Sequence, residues 1–171
     1  MKLLKILPLF ILALAGCNKP AVTPPAPASI DDLLPKHAQP KLPTIKIFLG
    51  TETLDAELAL TAEQEMTGMM YRTNIQETDA MLFVLPQTQQ ANFWMKNCPE
   101  SISAAYITPN GVIAEIHHLE QNDTNGVTSA EANIRFVLET KEGWFTRHNI
   151  SPGMVIVTEK GSLAETFLQS R

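Results

Sequence analysis

Phe93-Trp94-Met95-Lys96-Asn97 places a large aromatic side chain, a cation and an amide within five residues. The stretch follows an apolar run at residues 81–85 and a polar connector at residues 86–92. Two strand-like runs joined by a polar turn predict a β-hairpin. On an extended chain alternate residues face opposite sides, so Trp94 and Lys96 are expected to share one face. Such a mixture is typical of a small binding site and also of an ordinary half-buried sheet surface.

The composition bounds the protein to one ordinary domain with tails. The chain has 171 residues, of which 44% are hydrophobic and 18% are charged. That length is enough for one sizeable core and too short for two large ones. The formal net charge is −5 and the sequence has no basic stripe. Because binding to phosphates requires clustered Lys and Arg, no nucleic-acid partner is expected.

The N-terminal residues have the form of a targeting segment. Lys2 and Lys5 precede an apolar run that ends in Leu14-Ala15-Gly16-Cys17. A short apolar run with a basic flank predicts a secretory signal rather than a membrane-spanning helix. The last four residues resemble a bacterial lipobox, which implies cleavage before Cys17 and attachment of lipid to it. The alternatives are a plain signal peptide that contains a Cys, or an uncleaved anchor.

Lipid on Cys17 makes the membrane the first expected partner, since several acyl chains together anchor a protein stably. The expected location is the periplasmic face of a bacterial cell envelope. Asn18 follows the Cys in place of the Asp typical of inner-membrane retention, which favours the outer membrane. The predicted organisation is a signal peptide at 1–16, a lipidated Cys with a Pro/Ala-rich linker at 17–43, a domain at 44–158 and a tail at 159–171.

Cysteine and histidine usage gives no sign of a metal site. With Cys17 acylated, Cys98 has no partner for an internal disulfide, and burial of its thiol is favoured over reactivity. His117 and His118 are adjacent, so on a strand they point to opposite faces. No cluster of Cys or carboxylates completes a metal site around them. We therefore expect neither a metal nor a cofactor.

Period-two alternation and turn signals predict about eight short strands. They lie at residues 44–49, 53–60, 81–85, 93–97, 101–108, 112–119, 133–140 and 154–158. Thr61-Ala62-Glu63-Gln64 has the pattern of a capping box, which predicts a short helix at residues 62–69. A second short helix is expected at residues 142–148. The fold class is therefore mainly β (a β-rich α+β domain), with a closed or half-closed barrel-like sheet and one or two short helices.

Several motifs, taken in order, resemble those of the DUF192 family. They are Gly68-Met69-Met70-Tyr71-Arg72, Ala80-Met81-Leu82-Phe83-Val84, Phe93-Trp94-Met95-Lys96-Asn97, Val137-Leu138-Glu139 with Gly143, and Gly153. The resemblance covers residues 45–157. It implies a small, mainly β domain that is often exported, and it implies no established biochemical function.

The chain departs from the family pattern at two positions. Ala80 stands where the family usually has Gly, and Ser103 stands where it usually has Asp. If that Asp pairs with a cation such as Arg72 or Lys96, the pair is missing here. Glu100 could replace it only if its loop returns the carboxylate to the site.

The candidate binding residues are Arg72, Trp94, Lys96, Asn97 and Glu139. They could line a pocket for a small polar or anionic ligand, with stacking on Trp94, charge from Arg72 and Lys96, and hydrogen bonds from Asn97. A non-enzymatic ligand-binding module is the favoured function.

Two other functions remain open. One is a protein-interaction or envelope-structural module that uses the same patch or a sheet edge to hold an envelope protein. The other is a hydrolase-type enzyme, for which Lys96 and Glu139 could serve as acid and base. The enzyme is disfavoured because no nucleophile motif such as Gly-x-Ser-x-Gly exists. No catalytic residue is predicted.

Overall fold

The computed structural model describes residues 29–169. The signal peptide at 1–16, the lipidation site Cys17 and the first part of the linker lie outside the described residues, as do residues 170 and 171. Within the described part, no helix combines the length and the apolar character needed to cross a bilayer.

The described residues form a mainly β domain with ten strands and four short helices. The strands are β1 (Thr44–Leu49), β2 (Glu52–Ala59), β3 (Ala80–Gln89), β4 (Asn92–Phe93), β5 (Ile102–Ile107), β6 (Ile113–Leu119), β7 (Val127–Thr128), β8 (Ile134–Lys141), β9 (Ile156–Thr158) and β10 (Gly161–Ser162). The helices are α1 (Ile30–Leu33), α2 (Ala62–Thr67), α3 (Trp144–Arg147) and α4 (Leu163–Phe167). The predicted fold class is confirmed, with more helices than expected.

Local sequence signals explain where several elements begin and turn. At the start of α2 the Thr61 side chain accepts from the Gln64 backbone N–H, and the Gln64 side chain accepts from that of Thr61. This reciprocal pair is the predicted capping box. The Asn110-Gly111 turn joins β5 to β6 as an antiparallel hairpin, and Gly111 has φ of 80°. Asn and Gly are suited to such turns because they tolerate positive φ.

Eight strands form one sheet in the order β10-β9-β1-β2-β3-β8-β5-β6. All neighbours are antiparallel except β2 and β3, which run parallel with α2 in the crossover between them. The two ends of the sheet approach each other at a bridge between Val112 and Val155. Two backbone hydrogen bonds hold the ends of the sheet together. Ile113 N donates to the Met154 carbonyl (2.9 Å), and Gly153 N donates to the Ile113 carbonyl (2.8 Å). The sheet is thus curled into a half-closed barrel.

The central strands of the sheet are buried on both faces. One apolar cluster fills the concave side and includes Ile47, Leu82, Phe136, Leu138 and Trp144. A second cluster covers the other face and includes Met81, Phe83, Met95, Tyr106 and Val137. Because both faces are covered, every residue of β5 is buried and the strand lacks an apolar–polar alternation. The candidate site lies in the second cluster.

The predicted hairpin between residues 81–85 and 93–97 is wrong. Both edges of β3 are already occupied, by β2 on one side and β8 on the other. Only Asn92 and Phe93 are extended, and they pair with β7 in a separate two-stranded sheet. Residues 94–97 form a turn, so the expected alternation of Trp94 and Lys96 against Met95 does not occur.

Segments on both sides of residues 44–158 pack against the sheet. Leu34 and Leu42 are buried in the same cluster as Met81, and the Gln39 amide donates to the Gly68 carbonyl at 2.9 Å. At the other end β10 pairs with β9, and Leu163 of α4 is fully buried. Residues 34–42 and 161–167 therefore contribute to the folded body, beyond their predicted roles as linker and tail.

Candidate functional site

The turn at residues 94–97 is held from both sides by backbone hydrogen bonds. Met95 N donates to the Asp123 carbonyl at 2.7 Å, and Tyr71 N donates to the Asn97 carbonyl at 2.8 Å. Asn97 has φ of 60°, a left-handed conformation that Asn adopts more readily than most residues. Met95 is buried, whereas Trp94 is half-buried. The turn thereby fixes Trp94 above the junction of α2 with the sheet.

A narrow cavity of about 30 Å³, called the recess here, opens below Trp94. This space is enough for a water molecule or for a polar group of similar size. Its lining comes from α2 and the residues after it, from β3, β4 and β8, and from the 94–98 turn. The lining residues are Glu65, Met66, Thr67, Gly68, Met69, Met70, Phe83, Phe93, Trp94, Cys98 and Glu139.

A wider surface groove of about 300 Å³ adjoins the recess. The two spaces share Glu65, Met66, Phe93 and Trp94, so the groove leads towards the recess. The groove is lined mainly by apolar and amide side chains. Its other lining residues are Ala62, Leu85, Gln89, Ala91 and Asn92.

Glu139 lies in the recess and is 4% exposed. Among the described residues no group donates a hydrogen bond to its carboxyl group, and burial raises its pKa to about 8 against an opposing effect of the Arg72 charge. No fully enclosed side-chain N or O atom of the described residues lacks a partner. The unpartnered oxygens of Glu139 therefore border the open space of the recess.

Glu65 places a second carboxyl group beside the same recess. It lies on α2, is half-buried and also lines the groove. Burial raises the pKa of Glu65, although the Arg135 charge opposes this change. Two carboxyl groups whose pKa values are raised by burial thus line the recess.

Arg72 lies beside this space and is not among its lining residues. Its guanidinium makes two parallel bonds to the Glu57 carboxylate on β2, at 2.6 and 2.8 Å. The second Glu57 oxygen also accepts from Leu42 N at 2.7 Å. Burial raises the pKa of Glu57, but these hydrogen bonds outweigh it and hold the pKa below its usual range. Arg72, predicted to supply charge to a ligand, is therefore already paired with a carboxylate of the chain.

Lys96 and Asn97 are also not among the lining residues of the recess. Lys96 forms an ion pair with Asp31 of α1, and its ammonium lies 5.8 Å from the centre of the Trp94 ring. The Asn97 amide contacts the Met70 sulfur at 3.9 Å. The structure therefore brings Trp94 and Glu139 to one cavity and leaves Arg72, Lys96 and Asn97 around its outside.

Cys98 is buried, as expected, and borders the recess. Burial, together with the nearby Glu139 carboxyl group, raises the pKa of the Cys98 thiol to about 12. A neutral thiol is a poor nucleophile, so the side chain contributes packing rather than covalent chemistry.

Ser103, which replaces the family Asp, and Glu100, its possible substitute, each have a local partner. The Ser103 hydroxyl accepts from Gly143 N at 2.9 Å, close to the start of α3. Glu100 accepts from Asn74 N and Ile75 N, and so it stabilises the loop before β3 instead of returning to the site.

Sequence reasoning missed most of the lining of the recess. Three methionines contribute to the lining, and Met69 and Met70 are buried whereas Met66 is 43% exposed. Glu65 gave a usable signal, because it stands next to apolar residues on the inward side of a short helix. No group of three or more His, Cys, Asp or Glu side chains in the described residues could hold a metal ion.

The chemistry available at the recess is that of its carboxyl groups. A carboxyl group in a desolvated site is able to donate or accept a hydrogen bond, or to pair with a cation. The site lacks a nucleophile next to a base, which covalent catalysis requires. Apolar walls and few polar groups are features that small-molecule sites share.

Comparisons with known proteins agree with this architecture. A crystal structure from Sinorhizobium meliloti 1021, described as a "putative transcription regulator", has a TM-score of 0.66 and 27% identity, covering 71% of this chain and 98% of its own. A protein of unknown function from Novosphingobium aromaticivorans DSM 12444 has a TM-score of 0.64 and 24% identity, with 70% and 89% covered. The second likeness shows the fold alone. A search of curated proteins gives no match.

The model of the DUF192 family, described as "Uncharacterized ACR", matches residues 45–158. This match spans the sheet from β1 to β9, including α2, the 94–97 turn and Glu139. It confirms the resemblance drawn from the motifs, and the chain belongs to the DUF192 family.

Proposed function

We propose that this protein is a lipid-anchored module of the bacterial cell envelope that binds a small molecule without transforming it. The ligand lies in the groove below Trp94 and inserts one polar group into the recess. The anchor is lipid on Cys17, and the domain lies on the periplasmic face, with the outer membrane favoured.

The observation that carries this proposal is the unpartnered Glu139 in the recess. Its oxygens reach the open space and have no hydrogen-bond donor among the described residues, so their hydrogen bonds depend on what occupies the recess. Such a group is stabilised when a ligand supplies the missing partner. An ordinary core position would instead carry an apolar side chain of similar size.

The surroundings of Glu139 support a ligand-binding role. The recess shares four lining residues with a groove that has mainly apolar walls, which is the usual form of a small-molecule site. The charges of Arg72 and Lys96 are already paired with Glu57 and Asp31. The geometry therefore favours a polar ligand over the anionic ligand that these two cations suggested.

Two other functions are less well supported. A protein-interaction role has an exposed sheet edge at β6, but no large apolar patch marks a docking surface among the exposed side chains described. Transcription regulation, which the Sinorhizobium meliloti protein's description names, would require a nucleic-acid surface. The formal net charge of −5 does not favour that function.

Native mass spectrometry of the full chain, purified gently from membranes of its own host, tests the binding proposal. We expect a reproducible non-covalent adduct on the wild type and on the Lys96→Ala variant, because Lys96 lies outside the recess. The adduct should be lost in Trp94→Ala, which removes the wall shared by recess and groove. A bare mass for the wild type in every preparation would contradict binding, whereas an adduct that persists in Trp94→Ala would contradict the placement of the ligand in the recess and groove.

The same samples test the anchor under denaturing conditions. The expected mass is that of the chain beginning at Cys17 with acyl chains attached. A Cys17→Ser variant serves as the control and should lose both the acyl mass and membrane retention. An unacylated wild-type mass would refute the lipid anchor and leave the binding proposal unaffected.

A further inference from the structure

We propose that the recess and groove bind a small organic amine in its ammonium form, with the ammonium group against Glu139 and the carbon chain along the groove. This inference rests on the proposed function, because it names the class of ligand for the same site.

Charge is the first argument for a cation. Glu139 and Glu65 both line the recess, whereas no Lys, Arg or His is among the described residues that line the recess or the groove. Arg72 lies nearby, but its charge is balanced by the two bonds to Glu57. Arg135 acts on Glu65 from outside the two spaces, so the lining itself carries two carboxyl groups and no base, which complements a positive charge.

The aromatic lining is the second argument. Phe83, Phe93 and Trp94 border the recess. The rings of Phe83 and Phe93 pack edge to face, with their centres 5.1 Å apart. The face of an aromatic ring attracts cations, and clusters of such rings recognise organic ammonium groups. A neutral polar ligand would gain nothing from this feature beyond apolar contact.

The volumes of the recess and the groove suit the ammonium group and the carbon chain of an amine, respectively. The recess, at about 30 Å³, has room for a group of ammonium size. The groove, at about 300 Å³, offers Leu85, Ala91 and Met66 as apolar contacts for carbon atoms. A bare metal cation would leave the groove empty, whereas an amine with a short chain uses both spaces.

Proton linkage gives the proposal a measurable signature. In the free protein burial raises the pKa of Glu139 to about 8, so below that pH an ammonium ion must displace a proton from it. Affinity for the cation then falls as pH decreases, by at most about tenfold per unit. A ligand that accepts a hydrogen bond from protonated Glu139 would show the opposite slope, weakening as pH rises.

Four other ionisable groups face Glu139 or share its space. They are Arg72, Glu65, Cys98 and Tyr106. Cys98 and Tyr106 stay neutral at pH 6 to 8.5, since burial raises the pKa of each thiol or phenol further above its usual range. Arg72 stays charged. Glu65 is the one of these four groups whose own titration could alter the pH dependence of binding, so it is tested with a separate variant.

The test compares n-butylammonium, n-butanol and n-butyrate, which share one carbon chain and differ in the charge of the head. The protein is the full chain in detergent micelles, labelled with ¹⁵N. Its two tryptophans give two indole N–H resonances. Trp94 borders the site, while Trp144 is buried in the cluster on the other face of the sheet and serves as an internal control.

We expect n-butylammonium to shift the Trp94 resonance and leave Trp144 unchanged. At pH 8.5 its dissociation constant should be at least about tenfold lower than those of the alcohol and the carboxylate. Between pH 8 and pH 6 its affinity should fall. An alkylammonium stays protonated throughout, as a lysine side chain does with its pKa of about 10.4.

Three variants show which carboxyl group is responsible for the preference for the ammonium and for its pH dependence. Glu139→Gln should remove both the preference for the ammonium and its pH dependence, while the unchanged Trp144 resonance shows that the domain is folded. Glu65→Gln should weaken binding and keep the pH dependence. Glu63→Gln changes an exposed carboxylate of the same helix that lines neither space, and it should behave as the wild type.

The outcomes separate the two proposals. The amine assignment is wrong if n-butanol or n-butyrate, followed by the Trp94 resonance, binds with a dissociation constant as low as that of n-butylammonium. It is also wrong if affinity for the ammonium rises as pH falls. In both cases the binding proposal stands. If Trp94 responds to none of the three, the amine assignment fails. The native mass measurement then decides whether the site binds another ligand or none.

Discussion

Glu57 and Glu139 both stand opposite Met81 in one row of the sheet, Glu57 on β2 and Glu139 on β8. Both carboxyl groups are buried, and only Glu57 has an arginine against it. Their pKa values accordingly move in opposite directions, downward for Glu57 and upward for Glu139. One arginine thus distinguishes a structural carboxylate from a carboxyl group that is open to a ligand.

Replacement of Glu139 by Gln should change how stability depends on pH. The folded protein holds a proton on Glu139 between the unfolded pKa, near 4.5, and the folded pKa of about 8. Wild-type stability therefore decreases over this range, by at most about 1.4 kcal/mol per pH unit. The Gln variant lacks this loss, so it should gain stability relative to the wild type from pH 5 to pH 8. Urea unfolding at several pH values measures the difference, and parallel profiles would contradict the prediction.

Removal of Arg72 should be strongly destabilising. In Arg72→Met the Glu57 carboxylate is left buried without its partner, which costs about 3–5 kcal/mol of the free energy of unfolding. Most of this loss should be absent well below the usual pKa of Glu57, because the carboxyl group is then protonated. The exposed pair Lys46–Asp55 provides the control, since Lys46→Ala should cost less than about 1 kcal/mol. Equal losses in the free energy of unfolding for Arg72→Met and Lys46→Ala would show that burial of the Arg72–Glu57 pair adds nothing to its effect on stability.

Leu34 should attach the N-terminal segment to the domain. Leu34 is 4% exposed, whereas its neighbour Leu33 is 63% exposed. Leu34→Ala should therefore cost about 2–4 kcal/mol, and Leu33→Ala should stay within about 0.5 kcal/mol of the wild type. Limited proteolysis should also cleave residues 35–43 faster in Leu34→Ala alone. Similar cleavage rates in both variants would mean that Leu34 does not hold the segment.

Cys98 should resist alkylation while the domain is folded. Iodoacetamide reacts with thiolates, and the buried Cys98 thiol has a pKa of about 12. At pH 8 we expect modification of Cys98 only after addition of denaturing urea, with peptide mass mapping used to separate it from Cys17. Rapid modification in native buffer would indicate that the recess opens widely enough to admit the reagent.

The parts of the fold that were predictable are those set by neighbouring residues. The β5–β6 hairpin follows from Asn110-Gly111, and α2 follows from the capping box at Thr61. The 93–97 stretch was not predictable in the same way. Phe93 pairs with Val127 and Met95 bonds to Asp123, and both partners are distant in sequence. The apolar run at residues 81–85 does not reveal that β3 is already hydrogen-bonded to a neighbouring strand on each edge, β2 on one and β8 on the other.

The candidate site shows the same division. The side chains of Trp94 and Glu139 stood out by type, and the structure brings both to the recess. Arg72 and Lys96 also stood out as cations, but their availability depended on Glu57 and Asp31. Nothing local to either cation indicates those partners. The sign of the charge that the site can accept was therefore the feature that the sequence could not provide.

The position of β8 has a consequence for the order of folding. The strands β1–β3 precede it and form one side of the sheet, β5 and β6 form the other, and β8 joins the two. Pairings between strands far apart in sequence form slowly, because a long loop must close first. A chain emerging N-terminus first cannot unite its sheet until residues 134–141 have appeared. Glu139 is part of that strand, so the recess is completed only when β8 joins the two parts of the sheet.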